Sequence, residues 1–239
     1  MRKRVKIYRQ AGYCYRIGGT KELVNKEYLV SRLLEYTTLH KDTYISYKLS
    51  KIYGTDACKY KEYAQKENKF ISLVEMYGGK EQDLISLLAP KTSQERIDLI
   101  CGMYANTNIK IPKLRTYLHT LMQLDTLTLA DRDLSSIGIM FNQITNKAQI
   151  APILVDNPLC LNSTDRVNLQ YKELGMGLGM GSGVGIGIGI GRPMFKINYK
   201  GFYKELQTIQ KTLGITKEDS NTISLLESQL ERYKKVFSI

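Results

Sequence analysis

The chain has 239 residues, 43% of them hydrophobic, and a formal charge of +12 from 35 lysines and arginines against 23 acidic residues. That length buries one good core, or two small lobes. No apolar run reaches membrane-spanning length, since the longest hydrophobic-looking tract is interrupted by glycine at every second position. The basic start, Met1 to Lys6, is not followed by the continuous apolar region of a secretory signal. Cys14, Cys58, Cys101 and Cys160 are widely spaced, and only His40 and His119 could join them. A zinc site is therefore disfavoured, and reduced thiols in a cytoplasmic protein are expected. The charge favours an acidic partner, whether nucleic acid, nucleotide phosphates or an acidic protein surface. The lysines are spread along the whole chain, however, with no helix-turn-helix spacing, zinc knuckle or aromatic-rich sheet motif, so direct nucleic-acid binding is not favoured. Most of the seventeen tyrosines sit beside aliphatic residues and read as packing groups rather than base-stacking platforms.

Residues 5–17 alternate in β fashion, and Gly18-Gly19 supplies a turn. From Thr20 to about Tyr36 the period becomes helical, with Leu23, Leu29, Val30, Leu33 and Leu34 recurring every three to four residues. Residues 42–49 and 69–76 read as strands, and Gly78-Gly79 breaks the chain. Beyond it Thr92-x-x-Glu95 forms a capping box opening a helix that turns Ile97, Ile100 and Met103 inward. Pro112 suits a first helical position, and Leu114, Leu118, Leu121 and Met122 follow on one face. Between 175 and 191 glycine takes every odd position. A phosphate-cradling loop needs irregular glycines before Lys-Ser or Lys-Thr, so the 173–192 stretch reads as a flexible low-complexity insertion. Two helices, near 198–213 and 219–236, close the chain, the second buried through Leu225, Leu226, Leu230 and Tyr233. An α+β chain follows: a small β-rich lobe with one long helix over 1–79, and a mainly helical lobe over 80–239, with a cleft near residue 79.

Residues 125–156 hold the chemistry. An apolar helical end carrying Asp125 runs into Asp131-Arg132-Asp133, then Ser136 and Gly138, a hairpin, and Ala151-Pro152-Ile-Leu-Val-Asp156. Phosphoryl transfer needs such a grouping, because one carboxylate orients the attacking hydroxyl while another holds the magnesium that neutralises phosphate charge. Either aspartate alone would read as a turn residue. The ordered set carries more.

That order resembles the HipA-like serine/threonine kinases, a toxin-kinase family with a bilobal protein-kinase-like fold. The family's catalytic loop, of Asn-x-Asp-Arg-His-x-x-Asn-x-Gly type, is matched by Ala130-Asp131-Arg132-Asp133-Leu-Ser-Ser136-Ile-Gly138, and its Ala-Pro-x-x-x-Asp stretch by residues 151–156. Arg192-Pro193-Met-Phe195 looks like the segment leading into the family's terminal helices. The resemblance implies that Asp131 accepts the proton of a substrate hydroxyl, and that Asp156, with Ser136, holds magnesium across the ATP phosphates. It implies that Glu27 fixes the cation at Arg16, where the family's strand bears an ATP-contacting lysine. It places backbone groups of Glu75 and Met76 against adenine, in a hinge over 70–76. A protein substrate and a small DNA-binding antitoxin are the partners it implies. The chain departs from the family pattern at Arg16, Ala130, Asp133 and Ser136, and an arginine fork is not equivalent to a lysine point charge. An active kinase, a nucleotide-binding pseudokinase and a basic nucleic-acid-binding protein all remain open at this point.

Overall fold

The computed structural model describes residues 6–17, 19–62, 67–88, 90–105, 110–128, 134–154, 161, 193–213 and 217–237. The chain is α+β, with a small antiparallel sheet near its start and helices dominating the rest. Two compact units divide it. The first comprises Met1–Tyr63, Pro152–Leu161 and Phe195–Glu231, and the second Ala64–Ala151, Asn162–Met194 and Arg232–Ile239. The boundary expected at residue 79 is therefore not where the units part. The first unit's opening stretch ends at Tyr63, and the unit includes the helical segment Phe195–Glu231, whose apolar residues are buried as are those of the opening helix.

In the first unit β1 (Lys6–Gln10) and β2 (Tyr13–Ile17) form a hairpin. Its two-residue turn, Ala11 (φ 50°) and Gly12 (φ 74°), is left-handed at both positions, which matches the twist of the flanking strands. Helix α1 (Lys21–Glu35) follows, capped by Thr20, whose hydroxyl accepts from Leu23 N–H at 3.3 Å. A second hairpin joins β3 (Lys48–Ile52) to β4 (Thr55–Lys61) through Tyr53 (φ 50°) and Gly54 (φ 78°). The strand expected over 42–49 thus starts later, after a 3₁₀ turn at Lys41–Thr43. The sheet runs β1-β2-β4-β3, antiparallel throughout. Val24, Leu29, Val30, Leu33 and Leu34 of α1 are buried, as are Phe202, Leu206 and Ile209 on α6 (Tyr199–Leu213). Most of the closing helix α7 (Lys217–Phe237) belongs to this unit as well.

The second unit carries a three-stranded sheet, β5 (Asn68–Ser72), β6 (Gly138–Asn142) and β7 (Lys147–Ile150), in that order. Its helices are α2 (Leu73–Tyr77), α3 (Glu81–Leu88), α4 (Ser93–Ala105) and α5 (Leu114–Thr128). The Thr92–Glu95 capping box forms as expected, with Thr92 N–H on Glu95 Oε2 at 2.7 Å, and Ile97 and Ile100 are buried. Met103 is only half-buried, and Tyr104 takes the inward position beside it. Helix α5 begins at Leu114 rather than Pro112, because Lys113 sits at φ 61° and interrupts the helical backbone. No helix among the described residues is long and apolar enough to cross a membrane.

Candidate functional site around Arg16 and Glu27

The alternation of β2 turns Cys14 and Arg16 towards α1, and leaves Tyr13 and Tyr15 on the other face. Arg16 stands across from Cys58 of β4, and the Cys58 thiol donates to Val24 O of α1 at 3.3 Å, so both groups lie under the helix. On α1, Val24, Glu27 and Ser31 recur every three to four residues and face the sheet. The result is a two-point fork: Arg16 Nε donates to Glu27 Oε2 at 3.3 Å, and Nη2 to Oε1 at 3.2 Å. Arg16 is 2% exposed and Glu27 0%. Removing two charges from water is costly, and a buried pair repays that cost only when its geometry is good. What the fork fixes is orientation, because a planar guanidinium meets a carboxylate edge in few ways.

Further contacts at both ends hold α1 in place. At its start, Lys21 Nζ donates to Leu213 O at 3.4 Å, at the end of α6. Towards its end, Arg32 donates to Glu205 Oε1 of α6 from Nε at 2.9 Å and lies at 2.8 Å through Nη2, and it also pairs with Glu35. Tyr36 OH donates to Glu205 Oε2 at 3.3 Å. Burial works against the Arg32 charge, but Glu35 and Glu205 outweigh it and hold its pKa above the ordinary value. Burial likewise raises the Tyr28 and Tyr44 phenols. The helix that presents Glu27 is therefore clamped by the C-terminal segment of the same unit. No sequence pattern announced that, since Arg32 and Glu205 are 173 residues apart.

The strand expected over 69–76 ends at Ser72, inside the stretch read as a hinge. Residues 68–72 are a strand, but Ser72 then caps α2: its hydroxyl accepts from Glu75 N–H at 3.1 Å, and Glu75 Oε2 accepts from Ser72 N–H at 2.7 Å. Those bonds hold the Glu75 carboxyl below the usual carboxylate range. Its carbonyl accepts from Gly78 N–H at 3.2 Å. The Glu75 N–H is thus committed to the cap, and Met76 lies inside the same helical turn. Ser72-x-x-Glu75 is a legible capping box that the strand-like residues before it obscured.

Helix α5 leads towards the acidic loop, with Asp125 buried in its last turns. Asp131, together with Ala130, Arg132 and Asp133, lies outside the described residues, as do Asp156 and the 173–192 tract. The backbone resumes in a 3₁₀ turn, Leu134–Ser136, which brings the half-buried Ser136 to the entry of β6. Gly138 follows opposite Ser72, where a Cβ would stand 2.2 Å from Ile71 O. Downstream, Ile153 N–H donates to Thr43 O at 2.7 Å and Ile153 O accepts from Ile45 N–H at 2.9 Å, three residues ahead of Asp156. The structure brings Arg16 and Glu27 together; Ser136 lies in the other unit. Among the described residues no group of three or more His, Cys, Asp or Glu stands ready to hold a metal.

No family model matches the chain, and no curated protein matches it. Among solved structures it is similar to the crystal structure of a Helicobacter pylori proinflammatory kinase, CtkA, at 13% identity and a TM-score of 0.46. The likeness covers 72% of this chain and 60% of that one, so the chain spans less than two thirds of that protein's length.

Proposed function

We propose that this chain is a divergent HipA-like protein serine/threonine kinase, which transfers the γ-phosphoryl group of ATP to a protein hydroxyl. One observation carries the reading: Arg16 on β2 and Glu27 on α1 form a buried two-point ion pair, at the two positions that the family resemblance assigns to a phosphate-contacting cation and its carboxylate partner. A strand cation held by a helix carboxylate is the element that must be in place before nucleotide phosphates are positioned in a kinase. In this reading Asp131 orients the attacking hydroxyl and takes its proton, while Asp156 with Ser136 would hold magnesium. Catalysis of this kind is positioning and charge neutralisation, so few groups suffice. The test is phosphate transfer from labelled ATP with magnesium to a protein acceptor or to the chain itself. Wild type is expected to incorporate label and Asp131→Ala to lose it; equal incorporation by both removes the proposal.

A second reading, a nucleotide-binding pseudokinase, is favoured by a separate observation. Two donors of Arg16 are already spent on Glu27, and an arginine fork is less easily shared between a carboxylate and a phosphate than a lysine ammonium. A ligand that binds only the folded state raises the melting temperature by mass action. A shift with Mg-ATP but no label transfer selects this reading.

A further inference from the structure

We propose that the face of the four-stranded sheet turned away from α1 is a binding surface for single-stranded nucleic acid. The reading is independent of phosphoryl transfer and of the Arg16–Glu27 pair. Strand register, which spacing along the chain does not reveal, assembles the surface. Tyr8 of β1 lies directly across from Tyr15 of β2, Tyr15 across from Lys59 of β4, Tyr13 across from Lys61, and Lys59 across from Lys48 of β3. Paired residues point to the same side of a sheet, and this side is opposite to the one where Cys14, Arg16 and Cys58 are buried.

Exposure agrees. Tyr8 is 37% and Tyr13 40% exposed, and Lys48 and Lys61 are exposed too. Tyr53, 83% exposed at the tip of the second hairpin, sets its ring edge-on to Tyr8 at 5.8 Å. Lys59 Nζ stands 4.0 Å from the centre of the Tyr13 ring and 5.4 Å from that of Tyr15, so the cation and both aromatics form one cluster. None of the positions on this side of the four strands is Asp or Glu. The carboxylates within or beside these strands, Asp56 and Glu62, are paired with Lys51 at 3.7 Å and with Arg9 at 3.0 Å.

Single-stranded nucleic acid is the occupant that uses both features. Its phosphates meet lysines that no carboxylate among the described residues neutralises, and its bases stack on tyrosine rings, each of which accepts any base. An acidic protein would use the lysines and leave the exposed rings without a role.

The experiment is fluorescence anisotropy of the full chain with labelled oligo-U and oligo-dT of about twelve nucleotides, at salt concentrations of about 50 and 200 mM. Wild type is expected to bind both strands, more weakly at the higher salt, and to prefer them to duplex of equal length. Lys48→Glu with Lys61→Glu should weaken binding at least about tenfold and lower the log–log salt slope by roughly 1.4, about 0.7 for each phosphate left without its lysine. Tyr13→Ala should weaken it about tenfold, and Tyr13→Phe should leave it intact because the ring remains. These positions are exposed, and unchanged thermal melts would show that the variants fold. Absence of binding at low salt overturns the proposal. So does undiminished binding by the lysine pair variant, which would place the contact elsewhere. If lysine loss matters but Tyr13→Ala does not, or poly-glutamate competes as well as RNA, the surface is a general polyanion or acidic-protein face and the proposal fails.

Discussion

Each of the two sheets has one point specified by opposite means. Against the first sheet packs a helix carrying a full carboxylate, and a guanidinium reaches up from β2 to meet it in a core of Cys, Val, Leu and Tyr. In the second sheet, Gly138 of β6, opposite Ser72 of β5, carries no side chain, because a Cβ there would collide with Ile71 O at 2.2 Å and with the Phe70 ring at 2.8 Å. One region is specified by a directional charge pair, the other by an absent atom. Electrostatic specification can be cut and rejoined by chemistry, and steric specification cannot. That difference decides what each region should do when altered.

The largest effect is expected at Glu27. Glu27→Ala removes the carboxylate that meets the buried Arg16 guanidinium, and losing one partner of a buried pair costs about 3–5 kcal/mol. Urea denaturation should show it as a large fall in midpoint. Replacing both partners together, Arg16→Met with Glu27→Leu, should recover most of that stability, since apolar residues of similar volume avoid the desolvation cost. Phosphate transfer, if the chain performs it, should not return with the fold. A double variant as unstable as Glu27→Ala would show that the fork itself, rather than relief of the desolvation cost, holds the helix.

Gly138→Ala comes next, at about 2–3 kcal/mol, the upper part of the range for forcing an extra carbon into a packed site. The atom it meets is backbone, so trimming Phe70 to alanine in addition should not rescue it. Rescue by that second change would mean the ring, and not the carbonyl of Ile71, sets the limit. Together the two experiments oppose a reparable region to an irreparable one.

A third change tests whether burial, rather than charge as such, gives the Arg16–Glu27 pair its weight. Arg32 and Glu205 also join α1 to another element by a charged fork, but their side chains are 23% and 21% exposed. Glu205→Gln should cost no more than about 1 kcal/mol and lose much of that effect in high salt, as partly exposed pairs do. A cost comparable to that of Glu27→Ala would erase the distinction.

Much of this was readable along the chain, and the exceptions share a cause. The limits of α1 were legible because Thr20 is a cap and the apolar period is strong. The closing helices near 198–213 and 219–236 were legible for the same reason. The pairing of Arg16 with Glu27 came from family resemblance, and their burial came only from the structure. Lys48–Ile52 and Thr55–Lys61 were not recognised as a hairpin, since the strands are rich in lysine and the turn residue before Gly54 is a tyrosine. For the same reason Tyr8, Tyr13, Tyr15 and Lys59 looked scattered: a period of two along each strand becomes a patch only when the register between strands is known. Gly138 stands out in the chain as part of a loop motif, whereas its reason is the carbonyl of Ile71 on a distant strand. Asp131 and Asp156, on which the expected chemistry centres, lie outside the described residues.

The smallest expected effect separates the two kinds of specification within the second unit itself. Ser72 belongs to the same strand pair as Gly138, yet its side chain works by hydrogen bonding, as one half of the capping box with Glu75. Ser72→Ala should cost about 1 kcal/mol at neutral pH. The Glu75 carboxyl is held below its ordinary value by bonds from Ser72, so its contribution is complete above the unfolded value of about 4.3 and is lost as pH falls through the folded one. Ser72→Ala keeps the backbone N–H bond, the larger cause, and removes only the hydroxyl's, so the gap between wild type and Ser72→Ala should narrow slightly as pH is lowered from about 5 towards 3. The Gly138→Ala penalty, a collision with an uncharged carbonyl, should stay constant over the same range. If both gaps move together with pH, the acid sensitivity belongs to the unit as a whole and not to the cap.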